Sequence, residues 1–363
     1  MPEQIHRFDA ATNPYGPSPR VREALAAYAL EGDYYHYGEA RAESLRADLS
    51  AHWGLAPEHF IAYNGAGEAL LWLFLSKLLL ERGKLIVPAP SYERFVEAGK
   101  RCSVEVVQVP LAGEDFALLP EHCVAAGRRT GAQVLLLSSP NNPTGNALVD
   151  ERALAFLLEQ LPDCLCIVDE AYADYTGRSF VPWVRERENL VVLRTFSKAY
   201  GLAGLRVGYA VGTPRVVSAL ANLQIPWAVN SMGLVAARAA LADQAYLQQI
   251  IARIADDCQA LYAGLSALPW LKVYPSEANF FLLRFAGIAA EALRAGLEQE
   301  GIVARWRGDM PDCLRVTAQQ TAANDHLLSV LAGIDASLHQ GTLVDAASPP
   351  AIKGASEWQN QRI

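Results

Sequence analysis

Between about residue 60 and residue 211, short apolar runs recur at 84–87, 104–109, 134–137, 165–168, 190–193 and 207–211, and helical segments such as 152–160 lie between several of them. That alternation narrows the folding choices more than any other feature. Two parallel strands cannot be joined by a tight turn, and the usual connection is a helix laid over the sheet. Strands buried under helices on both faces read as continuous apolar runs. The expectation is therefore an α/β protein with a large, mostly parallel, seven-stranded sheet. In such sheets ligands bind beyond the carboxyl ends of the strands.

The flanks read differently. Asn13-Pro14-Tyr15-Gly16-Pro17-Ser18-Pro19 holds too many prolines for a helix or a central strand. Helices are expected from Pro19 to about Leu30 and over 42–52, and an apolar buried helix over 69–80. A long helix follows at 244–267, then mixed strand and helix to about 338, which reads as a second, smaller α/β domain. The last segment, 340–363, is rich in Ser, Pro, Ala and Gly and reads as a loose tail.

Composition excludes some functions. Hydrophobic residues make up 52% of the 363 and the net charge is -8, so the chain can bury a large core and lacks the basic face of a nucleic-acid binder. No stretch approaches the roughly 20 apolar residues of a membrane span, and the first nine residues lack the apolar core of a signal peptide. The six cysteines are scattered, and the seven histidines form no metal-ligand spacing with them. Cys164 and Cys166 sit in an apolar run that suits a buried strand better than zinc or a disulfide. They read as reduced core residues of a cytoplasmic protein.

Three polar motifs follow successive apolar runs. Ser138-Ser139-Pro140-Asn141-Asn142-Pro143-Thr144-Gly145 places amides between prolines; alone it reads as an ordinary turn. Asp169-Glu170-Ala171-Tyr172 puts an acid at a buried strand end, where it needs a partner such as a cationic ligand nitrogen. Alone, Asp169 reads as a helix cap. Thr195-Phe196-Ser197-Lys198 supplies a lysine that alone reads as a snorkelling surface residue. Arg206, in Gly204-Leu205-Arg206, heads an apolar run and would be poorly solvated without an anion. In this order, at successive strand ends, the bland readings lose their force together.

The set resembles fold-type I enzymes that use pyridoxal 5′-phosphate (PLP), in the class I and II aminotransferase superfamily, with the histidinol-phosphate aminotransferases as the nearest branch. Asn13-Pro14-Tyr15-Gly16-Pro17, Ser139–Gly145, Asp169–Tyr172, Thr195–Ala199, Gly204–Arg206 and Cys313-Leu314-Arg315-Val316-Thr317 carry the resemblance, over roughly residues 8 to 335. It implies an N-terminal arm (1–32) that forms part of the small domain, a large PLP-binding domain (33–243), a small C-terminal domain (244–338) and a tail (339–363).

The resemblance also implies roles. Lys198 holds the cofactor aldehyde as a Schiff base and then serves as general base and acid; a desolvated site lowering its pKa is expected. Asp169 faces the pyridine nitrogen, Asn142 and Tyr172 the ring oxygen, and Tyr92 stacks on the ring face. Gly65, Ala66, Gly67 and Glu68, before an apolar helix, form the phosphate cradle with Ser197, Arg206 and Thr195. Tyr37 reaches the phosphate of the neighbouring subunit, which makes the enzyme a homodimer with shared sites. Arg315 clamps the substrate carboxylate, since a guanidinium fork suits it, and Asn13 and Tyr15 close over the substrate. Arg305 and Arg307 read as a solvated surface pair, or else as added positive potential for an acidic substrate.

The implied reaction moves an amino group from an amino acid or amino-alcohol phosphate to a 2-oxo acid such as 2-oxoglutarate. A PLP-dependent decarboxylase resembling threonine-phosphate decarboxylase is the alternative, because the same cofactor site serves both. A PLP-binding regulator without turnover would need an added basic DNA-binding domain, for which this chain has no room ahead of Asn13. The branch often has Asp where this chain has Gly67, and Gly-Thr where it has Ala318-Gln319. Those departures bear on the substrate, not on the cofactor site.

Overall fold

The computed structural model describes residues 4–65, 67–68 and 83–339. Ala66, the expected apolar helix over 69–80 and the expected tail beyond residue 339 lie outside them. The first half holds β1 (His6–Arg7), α1 (Pro19–Glu31), α2 (Glu43–Trp53), β2 (Phe60–Tyr63), β3 (Lys84–Ala89), α3 (Glu93–Arg101), β4 (Glu105–Pro110), α4 (Pro120–Thr130), β5 (Val134–Ser138), α5 (Glu151–Gln160) and β6 (Leu165–Asp169). The second half holds β7 (Leu190–Thr195), β8 (Gly208–Val211), α6 (Pro214–Ala221), α7 (Ser231–Ala242), α8 (Gln244–Ser266), β9 (Leu271–Val273), β10 (Phe280–Phe285), α9 (Ala290–Gln299), β11 (Ile302–Val303), β12 (Arg305–Trp306), β13 (Cys313–Thr317) and α10 (Thr321–His339).

Seven strands form one sheet in the order β2-β8-β7-β6-β5-β3-β4. Every residue of β5 and β7 is buried, as a strand covered on both faces requires. Each of the six apolar runs became a strand of this sheet. β2 was not among them: four residues, Phe60–Tyr63, are too few to show a period. It lies beside β8, which runs antiparallel to both β2 and β7.

The helix boundaries follow local chemistry. Pro19 fills the first turn of α1, and the Ser18 hydroxyl accepts the Val21 N–H there. α2 presents Leu45 and Leu49, one turn apart, to the core. Cys164, just ahead of β6, and Cys166, within it, are both buried. No helix among the described residues is long and apolar enough to cross a membrane.

A second, four-stranded antiparallel sheet, β12-β13-β10-β9, carries its own core with α8, α9 and α10. β1 joins this unit by pairing in parallel with β11. The chain then passes over the large unit, where α1 packs against α7. In the large sheet Ser138 is register partner of Asp169, and Asp169 of Leu193. The polar loops after β5, β6 and β7 therefore rise side by side at one edge, facing β13.

Candidate active site

Asp169 is the last residue of β6, and its carboxylate accepts the Ala171 N–H at 3.1 Å. Burial pushes its pKa up to about 6; the Ala171 N–H and the nearby Lys198 charge oppose that rise. Tyr172, three residues after Asp169, packs edge-on against Phe280. Its hydroxyl receives the Asn142 side-chain amide at 3.5 Å, and burial raises its pKa to about 12.

Lys198 follows β7. Its Nζ donates to the Ala10 carbonyl at 3.2 Å and lies 5.3 Å from the Tyr172 ring centre. Burial, then the Arg315 and Arg206 charges, lower its pKa to about 8 against the pull of Asp169. Such an amine is neutral for a useful fraction of the time near neutral pH, as a nucleophile must be.

Arg206 adopts the left-handed backbone conformation, with φ 56°. Its Nη1 donates to Ala203 O at 3.0 Å. Behind it lies Gly65, at φ 87°, where a Cβ would run into the Arg206 guanidinium, 2.9 Å from Cζ. Only glycine meets both demands. Thr195 and Ser197 line the cavity with Arg206 and Lys198, and the Ser197 N–H donates to Thr195 Oγ1 at 3.1 Å.

Arg315, in the middle of β13, enters from the other unit. Its Nη1 donates to Asn142 Oδ1 at 2.8 Å and its Nη2 to the Asp9 carbonyl. Its guanidinium stands 4.9 Å from the Phe280 ring centre, and its buried Nε has no hydrogen-bond partner. Burial is the main force holding its pKa below the ordinary arginine value. These groups face one cavity of about 530 Å³.

Ten of the expected site residues line it: Gly67, Tyr92, Asn142, Asp169, Tyr172, Thr195, Ser197, Lys198, Arg206 and Arg315. Gly65 stands just behind Arg206, and Glu68 accepts the Asn64 N–H at 2.6 Å. Three others lie elsewhere. Asn13 donates to Ala199 O at 2.8 Å and accepts the Tyr15 N–H, so its amide ties the N-terminal segment to the residue after Lys198. Tyr15 bonds Asp257 at 2.5 Å with Arg253 over its ring. Neither side chain reaches the cavity, because internal partners occupy both. Tyr37 is 83% exposed and stacks on Trp227 at 4.8 Å between ring centres.

One expectation is corrected. Arg305 and Arg307 are not a solvated surface pair. The Arg307 side chain is only 6% exposed, and Arg305 lines the cavity paired with Glu93. Glu93 was missed altogether, as were the Asp9 and Ala10 carbonyls. An acid in the first helical turn directly after Pro90-Ser91-Tyr92 was the available signal for Glu93.

The family model for aminotransferase class I and II matches residues 3–331. The chain is 40% identical over 337 residues to a histidinol-phosphate aminotransferase of Roseiflexus castenholzii, covering 91% of this chain and 89% of that one. A solved histidinol-phosphate aminotransferase from Sinorhizobium meliloti, in complex with pyridoxal 5′-phosphate, matches with a TM-score of 0.83 at 30% identity, over 92% of both chains. An L-threonine-O-3-phosphate decarboxylase from Porphyromonas gingivalis matches with a TM-score of 0.79 at 26% identity, over 91% of this chain and 99% of that one.

The chain belongs to the class I and II aminotransferase family. It is a PLP-dependent aminotransferase of the α/β fold-type I architecture. The cavity fits that cofactor on three observations. Asp169 is a buried carboxylate with no ion pair among the described residues, on which the Lys198 charge acts, so a protonated ring nitrogen would complete it. The Gly65–Arg206 contact leaves no room for a side chain where a phosphate needs a close cation. The Tyr172 hydroxyl and the Asn142 side-chain amide, 3.5 Å apart on the cavity wall, supply donors for a ring oxygen.

Proposed function

We propose that this enzyme takes the amino group of an amino acid or amino-alcohol phosphate and delivers it to a 2-oxo acid such as 2-oxoglutarate. The candidate donors are histidinol phosphate, the substrate that names the relatives above, and aromatic amino acids. The convergence of Lys198, Asp169 and Arg315, from three separate strands or strand ends, on one cavity carries the reading. PLP, when bound, supplies an electron sink for the carbanion formed at the substrate α-carbon.

The protein's part is positioning and proton transfer. Asp169 would pair with the ring nitrogen and keep it protonated. Asn142 and Tyr172 would donate to the ring oxygen, Tyr92 would cover a ring face, and Arg206, Ser197, Thr195 and the Gly65–Glu68 segment would hold the phosphate. Arg315 would bind the acidic group of the substrate and so fix the α-carbon near Lys198. Lys198 Nζ, neutral, would take the α-proton and, as an ammonium, return a proton. Asn13 and Tyr15 would act by anchoring the N-terminal segment that covers the site.

We infer also that the enzyme works as a cytoplasmic homodimer whose sites are shared. Tyr35, Tyr37 and Ile225 are 85%, 83% and 65% exposed and Trp227 47%. So much apolar and aromatic surface in one place favours a protein partner. Tyr37 lies outside the cavity of its own subunit, which agrees with service to the partner's.

The test is direct. Purified protein loaded with PLP should show a visible absorbance band, and borohydride should fix a pyridoxyl mass on Lys198. A panel of amino donors should then bleach the band without release of carbon dioxide. A colourless protein, or carbon dioxide released in step with substrate loss, would overturn the reading.

A further inference from the structure

Arg305 and Arg315 are direct register partners across the β12–β13 ladder, and both line the cavity. Two like charges facing each other in this way repel; Arg305 is among the causes that lower the Arg315 pKa. The relief comes from the other unit. Glu93, the first residue of α3, ion-pairs with Arg305 through one carboxylate oxygen and with Arg307 Nη1 at 3.0 Å through the other.

Glu93 is not free to swing away. Arg307 grips Asp309 with Nε and Nη2 at 2.9 and 2.7 Å and donates to the Ser91 carbonyl at 2.8 Å. A buried, fully bonded arginine therefore clamps Glu93 from behind. Asp309, Arg307, Glu93 and Arg305 sum to no net charge. Arg315 differs: its partners are an amide oxygen and a backbone carbonyl, so its charge stays uncancelled. One arginine is thus an open cation and its cross-strand neighbour is neutralised.

The neutralised pair also stands at a boundary. A second cavity, of about 410 Å³, lies behind it and shares Tyr92, Glu93, Glu97 and Arg305 with the first. Glu97, one helical turn after Glu93, is paired with Arg94 at 2.5 Å. Around Glu93 the cavity wall is built of ion pairs, while Arg101, the last residue of α3, also lines the first cavity outside those pairs.

We propose that Glu93 is a specificity-determining residue, a charge filter that cancels Arg305 toward the substrate. The acid held by Arg315 is rewarded in full. A second anionic group at the far end gains little from Arg305, because the Glu93 carboxylate beside it repels that group. The filter grades substrates; it excludes none. This proposal rests on the aminotransferase reading above.

The test compares substrates that differ by one charge at constant length. With the PLP-loaded enzyme, kcat/KM would be measured for glutamate and for glutamine as donors. Glu93→Gln keeps a hydrogen-bonding side chain and removes the charge. It should shift the glutamate-to-glutamine ratio toward glutamate by about tenfold, the effect of one charge at a half-exposed site. Glu93→Asp, which keeps the charge, should leave the ratio near its original value.

Where neither donor turns over, the same comparison uses dissociation constants of succinate and butanoate, read from the cofactor absorbance at fixed ionic strength. Glu93→Gln should then tighten succinate relative to butanoate. A ratio that stays put, or that moves against the dianion, overturns the filter and leaves the aminotransferase reading intact. Failure of every amino donor to bleach the cofactor band counts against the aminotransferase reading, and the succinate comparison still decides the role of Glu93.

Discussion

Gly65 and Arg206 interlock: the glycine, at a φ of 87°, leaves the space that the arginine guanidinium fills, with Cζ 2.9 Å from where a Cβ would stand. Gly65→Ala would strain the backbone by about 1 to 2 kcal/mol and would also displace the arginine. The expected result is a loss of PLP affinity of at least about tenfold, measured by titrating apoprotein and following the visible band. Unchanged affinity would show that Arg206 does not serve the phosphate.

Asp169 sets a stability cost that the cofactor should remove. Burial raises its native pKa from 3.8 to about 6. The apoprotein therefore binds this proton more tightly folded than unfolded. The penalty is absent below the unfolded pKa, grows as pH rises toward the native value, and is complete above it. Asp169→Asn apoprotein should be more stable than wild type at pH 7.5, by about 2 kcal/mol, and no more stable near pH 3.5. Denaturant titrations at the two pH values check this, and the variant should lose nearly all turnover.

Lys198 should react as an amine of lowered basicity. With its pKa near 8, the rate at which apoprotein takes up PLP covalently should climb through pH 8 and level off above it. An ordinary lysine would still be climbing at pH 10. Stopped-flow absorbance across pH 6 to 10 distinguishes the two profiles.

Arg315 makes two bonds to the protein and keeps a buried Nε without one. Arg315→Lys keeps the charge and loses the fork. It should lower kcat/KM for amino acid donors by roughly a hundredfold, in the range for a charge-assisted pair lost from a buried site, while the visible band persists. A loss confined to cofactor binding would assign Arg315 to the PLP instead.

The exposed Tyr37–Trp227 stack is expected to be covered by a second copy. Trp227→Asp should yield monomers in sedimentation velocity runs, and activity should fall with the dimer fraction. Tyr37→Phe should leave the dimer intact and weaken PLP affinity several-fold, since only a hydroxyl is lost. Equal PLP affinity in the two forms would remove Tyr37 from the partner's site.

The sequence was most legible where local pattern and chemistry coincide. A continuous apolar run ending in Asp169, or in Thr195 with Ser197 and Lys198 just beyond, announces both a buried strand and the polar loop above it. Arg315 could be found because its strand carries a signature of its own. What stayed hidden depends on elements distant in the chain. Glu93 meets Arg305 and Arg307 across more than two hundred residues, and no periodicity within α3 reveals that pairing. The two arginines were misread for the same reason, since the pairing of Arg305 and the burial of Arg307 are conferred by α3 and the 308–309 turn. Asn13 and Tyr15 looked like substrate contacts because the motif places them near the site, whereas their partners, Ala199 and Asp257, come from elsewhere.

The backbone carbonyls of Asp9 and Ala10 meet Arg315 and Lys198, so the turn after the first strand is part of the cavity wall. Shortening the front of this polypeptide, or grafting a rigid fusion onto it, therefore amounts to editing the catalytic chamber.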